Sequence, residues 1–231
     1  SVSSRGFGLF GAEEIAMGND GRLTLWNDCA IGHEAEYEAW YQGEHLIERL
    51  GVPGFMRGRR YQAIEAAPEY FTYYETTSPD VLTSPSYLER GNNPTPFTRK
   101  IMSGTFINLS RTICKCQFST GGMRGAYAVT LRHSQMVDDF SLFGSMDHLT
   151  QTLGVARTEI WTSAEDRNLS PSHEESLRGG DEKISICLFV ETLREKDARE
   201  IAATLTGISE RHAMDIGIYQ FLCELTHNEP A

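Results

Sequence analysis

Glu44-His45-Leu46 lies in the stretch EAEYEAWYQGEHLIERLGVPGF and sets an imidazole beside a carboxylate, with the Tyr41 phenol about one helical turn earlier. These are the residue types of general acid–base work: a histidine flanked on the helix by the Glu48 carboxylate and the Tyr41 phenol can accept a proton and pass it on. A second carboxylate, Glu75, closes the apolar run YFTYYET. His45, Tyr41 and Glu75 are therefore the candidate catalytic set. Tyr73 and Arg59 from the same half, with Phe189 and Glu191 from ISICLFVET, are the candidate ligand-binding residues. Aromatic rings with a few carboxylates suit a small apolar or aromatic compound. A bland reading stands beside each. Histidine near a helix C-terminus is also a structural residue, Glu75 and Glu191 can mark the wet rim of a core, and Arg57, Arg59 and Arg60 can serve as ion pairs on a strand.

The elements that would position these groups are written twice. EYEAWYQGEHLIERLGV (36–52) aligns without a gap on DFSLFGSMDHLTQTLGV (139–155), so Glu44-His45-Leu46 falls on Asp147-His148-Leu149. An apolar segment precedes each copy and another follows, YFTYYET resembles ICLFVET, and each half closes with a further strand. The order is β-α-β-β-α-β, twice, which is the ferredoxin-like arrangement. The expected fold is α+β: two such units in tandem, their sheets packed face to face as a barrel within one chain, with a cleft between the sheets. The expected divisions are an N-terminal arm (1–20), repeat 1 (21–120), a Gly-rich linker (121–125) and repeat 2 (126–231).

A wheel at about 100° per residue groups Ala39, Trp40, Gly43, Leu46, Ile47 and Leu50 on one face and puts His45 roughly 160° away. Leu142, Phe143, Met146, Leu149 and Leu153 form the corresponding face of the second copy, again with its histidine outside. The wheel thus sends both histidines away from their own helix–sheet cores. Gly51 and Gly154 stand where a left-handed helix cap is expected. Pro85, Pro94 and Pro96 break the segment after Ser78 into pieces, a loop able to cover a cleft. The insertion SAEDRNLSPSHEESLRGGDEK reads as charged and exposed.

The chain of 231 residues carries a net charge of −11, with 40% hydrophobic residues. An acidic chain is a poor partner for phosphate backbones, so no nucleic acid is expected. No apolar run nears the ~20 residues that span a bilayer. The opening SVSSRGFGLFGAEEIAMGNDG lacks the apolar core of a signal peptide. The five cysteines form no CxxC pair and read as reduced thiols of a cytoplasmic protein. There is no HExxH, no Walker loop and no GxGxxG after a strand, so neither a metal nor a cofactor is expected.

Trp40-Tyr41, Glu44-His45, Val52-Pro53-Gly54-Phe55 and the run Arg57 to Tyr61 resemble the helix-to-strand segment of EthD-like proteins in the dimeric α/β-barrel superfamily. The resemblance covers the first half by motif and the second by element order. It implies ferredoxin-like units paired through their sheets, in a dimer or a tandem chain, and leaves a homodimer open. It also implies a role in the turnover of small organic compounds; the superfamily includes cofactor-free monooxygenases, isomerases, cyclases and haem proteins. The expected function is a cofactor-independent enzyme acting on a small apolar or aromatic compound. The alternatives are a non-catalytic small-ligand-binding or scaffold protein and a haem-binding protein.

Overall fold

The computed structural model describes residues 19–137, 148–165 and 171–227. The first half runs β1 (Gly21–Cys29), α1 (Glu34–Trp40), a π-helical turn (Tyr41–His45), α2 (Leu46–Leu50), β2 (Phe55–Glu65) and β3 (Tyr70–Thr76). A 3-10 turn (Pro79–Thr83), α3 (Pro85–Asn92), α4 (Pro96–Gly104) and β4 (Phe106–Thr120) complete it. The second half contains β5 (Tyr127–His133), β6 (Val155–Ser163), α5 (His173–Arg178), β7 (Ile186–Thr192), α6 (Glu195–His212) and β8 (Asp215–Thr226).

The strands form one closed barrel in the order β1-β3-β2-β8-β5-β7-β6-β4. Every ladder is antiparallel. Each half contributes its four strands in the same order, β4-β1-β3-β2 and β8-β5-β7-β6. The β2–β8 and β4–β6 ladders join the halves, and closure leaves no sheet edge unpaired. Proline supplies the broken helical segment with its starts. Pro79, Pro85 and Pro96 each stand at a first helical position, where a missing N–H costs nothing. Ser84 and Thr95 cap α3 and α4 by accepting from Tyr87 N and Thr98 N. Among the described residues no helix is long and apolar enough to cross a membrane.

Alternation along the strands sorts side chains into layers. On β3, Tyr70 and Tyr74 face the helices while Phe71 and Tyr73 face the barrel interior. On β7, Ile186, Leu188 and Val190 lie under α6, and Cys187 and Phe189 point inward. The interior expected as a cleft is instead packed with rings. Trp161 stacks on Phe189 with centroids 4.5 Å apart, Trp26 on Phe71 at 4.8 Å, and Tyr61, Tyr73 and Tyr219 are buried beside them. Eight twisted strands enclose a space that side chains just fill. Cys114 and Cys116 lie in this interior layer.

Several local expectations change. The cap before β2 is made by Gly54 at φ +93°, while Gly51 keeps a right-handed helical φ of −78°. Gly154 does adopt φ +93°. Ile47, placed by the wheel on the inner face, is 58% exposed, and Leu153 is 94% exposed. Leu142, Phe143 and Met146 lie outside the described residues. The second-half insertion is not simply a surface loop: α5 returns across the first half and buries Glu174.

Candidate functional site

The wheel fails at His45 because the helix is not α-helical there. The π turn over Tyr41–His45 holds more residues per turn than an α-helix and sets back the phase of everything after it. Tyr37, Tyr41, His45 and Arg49, at four-residue intervals, consequently all face inward and are buried. His45 is 4% exposed, its ring stacked on Trp40 at 4.0 Å and edge-on to Tyr41 at 5.4 Å. Trp40 is held in turn by Nε1–H donating to Thr98 Oγ1, which itself donates to Glu44. Glu44, the sequence neighbour of His45, thus braces α4 rather than the imidazole. His148, the counterpart of His45, is exposed.

His45 lines a chamber of about 20 Å³ between the first-half sheet and its helices. Leu23, Leu25, Met102, Phe106 and Leu109 supply apolar walls. Four lining residues carry buried polar atoms without a hydrogen-bond partner among the described residues: His45 Nδ1, Arg49 Nη1, Tyr74 OH and Glu174 Oε1. Each such atom costs about 1–3 kcal/mol unless something satisfies it. Arg49 and Glu174 are joined on their other atoms by a 2.6 Å ion pair. Tyr87, Arg111, Glu174 and Arg178 line both this chamber and an outer groove of about 320 Å³. Arg111 donates to Tyr87 OH at 2.6 Å, and Arg178 pairs bidentately with Asp181 at 2.9 and 2.7 Å.

Burial holds the His45 imidazole well below its ordinary pKa, and the nearby Arg49, Arg178 and Arg60 guanidiniums push the same way. The ring is therefore neutral at neutral pH. Burial raises the Tyr41 phenol, opposed by Arg60, whose guanidinium lies 3.7 Å from the Tyr41 ring centre. Burial also raises Tyr74. The chamber thus offers an uncharged imidazole, phenolic hydroxyls and guanidiniums in an apolar wall.

The other sequence candidates lie on the opposite face of the sheet. Glu75 accepts from Arg124 at 2.7 Å and Arg157 at 3.0 Å and meets Arg57 at 3.4 Å. Glu191 accepts from Tyr61 OH at 2.6 Å and meets Arg59 at 3.6 Å, and Arg59 also donates to Gly125 O. Burial raises the Glu191 carboxyl against the pull of Arg59. Tyr73 and Phe189 belong to the ring-packed interior. His45 and Tyr41 are brought together; Glu75, Tyr73, Arg59, Glu191 and Phe189 form a separate interior set. Arg60, the third strand cation, is paired bidentately with Glu38. Arg49, Tyr74, Arg111, Glu174 and Arg178 were not singled out from the sequence. The stripe Tyr37-Tyr41-His45-Arg49 carried a signal for the first of these. Glu174, 125 positions from Arg49, carried none.

No family model matches the sequence, and no curated protein matches it. Solved structures match its fold. A protein described as anthrone oxidase-like aligns over 92% of this chain and 94% of its own, with TM-score 0.59 and 9% identity. A "putative monooxygenase" from Fusobacterium nucleatum subsp. nucleatum aligns over 91% and 96%, with TM-score 0.56 and 9% identity. A "putative chlorite dismutase" aligns over 89% and 95%, with TM-score 0.51 and 11% identity. These are dimeric α/β-barrel proteins, and at such identities the likeness is one of fold.

Proposed function

We propose that the chain is a small-molecule enzyme that removes a proton from a weakly acidic, mostly apolar compound, with the neutral His45 imidazole as acceptor. The observation carrying this is that four residues lining one small chamber, His45 among them, carry buried polar atoms without a hydrogen-bond partner among the described residues, and that the chamber shares its lining with an outer groove of mixed polarity. Four such residues around one small space suit a small polar head group. The compound's body would lie in the outer groove, whose volume is at the low end of small-molecule sites.

Chemically, a neutral base needs no prior deprotonation. Taking the proton turns His45 into an imidazolium beside a newly formed anion, and that pairing offsets the burial that disfavours its charge. Arg111, which lines the chamber, would stabilise the oxygen of an enolate or phenolate in a low-dielectric wall. The names of the fold neighbours, anthrone oxidase-like and monooxygenase, fit substrates activated by losing such a proton. A cofactor-free reaction of this kind is the reading favoured here, in the helix-side chamber rather than between the sheets. A haem does not fit this chamber as built: the space beside His45 is about 20 Å³.

The test is proton–deuterium exchange at the acidic methylene of 2-tetralone in D2O, followed by NMR. The wild-type chain should accelerate exchange, and His45→Gln should lower the rate at least ~100-fold with the fold intact, the usual scale for a general base. Equal rates for the two proteins would remove His45 as the base. Tight 2-tetralone binding without exchange would favour a carrier.

A further inference from the structure

We propose that Glu174, contributed by the second half of the chain, is a specificity-determining residue that makes the chamber select a neutral hydroxyl-bearing head group over a carboxylate. The inference rests on the helix-side chamber being a small-molecule site, as proposed above.

Arg49 and Glu174 satisfy each other through one atom each and leave one buried atom each, Arg49 Nη1 and Glu174 Oε1, without a partner among the described residues, and both residues line the same chamber. Arg49 Nη1 can only donate, and an ionised Glu174 Oε1 can only accept. A hydroxyl does both and can satisfy the two together. A carboxylate can serve Arg49 but sets its second oxygen against Glu174, two acceptors of like charge in a dry wall. The remaining charges do not cancel this. Arg178 is neutralised by Asp181, and Arg111 faces the chamber with its guanidinium bonded to Tyr87 OH. The excess charge on Arg111 favours negative charge that develops on a bound molecule, while Glu174 opposes a full carboxylate at Arg49. Glu174 is 6% exposed, so solvent does not screen the contact.

Like-sized probes separate these effects: 1-naphthol and 1-naphthoate, titrated at pH 7 into the full chain and followed by calorimetry. Wild type should bind 1-naphthol at least ten-fold more tightly. Glu174→Gln, whose amide can donate to a carboxylate, should raise 1-naphthoate affinity at least ten-fold and change 1-naphthol affinity less than three-fold. If that variant does not fold, Arg49→Gln/Glu174→Gln removes both charges and should bring the two affinities within three-fold. Equal affinities in wild type, or an unchanged ratio in the variant, would overturn the proposal. Should neither probe bind, this inference and the pocket reading fall together. Lost selectivity with exchange still dependent on His45 would overturn the inference alone. Selectivity that survives when His45→Gln leaves exchange unchanged would support the inference and remove only the proton-transfer reading.

Discussion

Arg49 on α2 and Glu174 on α5 meet at 2.6 Å, although 125 positions separate them and they belong to different halves of the chain. Both are almost fully buried. The contact fastens the second half's insertion over a chamber whose floor and walls come from the first half. A buried pair of this kind adds little over a well-packed apolar pair, but losing one member leaves the other charged and dry. Arg49→Met should therefore destabilise the protein by about 3–5 kcal/mol. Arg49→Met/Glu174→Leu should recover most of that loss. Denaturant titration of the two variants checks this; a double variant no more stable than the single one would contradict it.

His45 predicts a pH dependence. Its folded pKa lies below the unfolded value near 6.5, so the unfolded chain binds the proton first as pH falls. Its contribution to stability is complete above about pH 6.5 and is lost as pH drops from there toward the folded pKa. Wild type should lose up to about 1.4 kcal/mol per pH unit more than His45→Gln across that window. Thermal melts of both proteins between pH 7 and pH 5 supply the comparison. Parallel curves would mean that His45 is not buried neutral.

Barrel closure predicts that the first half cannot stand alone. Residues 1–120 would expose β2, which pairs with β8, and β4, which pairs with β6. Unpaired edges associate. Expressed by itself, this segment should self-associate or aggregate, as read by sedimentation. A stable folded monomer would contradict the account.

The thiols give a simpler check. Burial pushes Cys116 up to about 11 and Cys114 up to about 12, and Cys187 is raised by burial as well. Cys29 is buried, and Cys223 is the partly exposed one. At pH 8 a disulfide reagent should label Cys223 alone and slowly, with five thiols reacting only after denaturation. Rapid labelling of two or more in the native protein would show that the interior layer is open.

How much of this was legible in the sequence depends on the range of the interactions. The alternation in YFTYYET and ICLFVET marked inward and outward residues because a strand's period is fixed by its backbone. The prolines marked breaks in the segment after Ser78 for a similarly local reason, but the sequence read that segment as a loop, whereas Pro85 and Pro96 open α3 and α4. The ring-filled barrel interior stood as the bland alternative to a cleft and could not be told from it, because the same alternation describes a lined cleft and a packed core. His45 was misplaced because a wheel assumes one constant turn, and the π turn at Tyr41–His45 breaks that assumption. The same shift buried Arg49 and exposed Ile47. Glu174 could not be found by any local pattern: it sits on a charged insertion and is buried only because α5 packs across α3 and α4.

NMR of the His45 ring with labelled histidine reads both whether the imidazole is neutral and whether it faces a site for a small polar head group. The account predicts a neutral ring down to below pH 6.5, with resonances that shift on addition of 1-naphthol and vanish from the spectrum of His45→Gln. A ring that titrates near pH 6.5 and ignores 1-naphthol would contradict it.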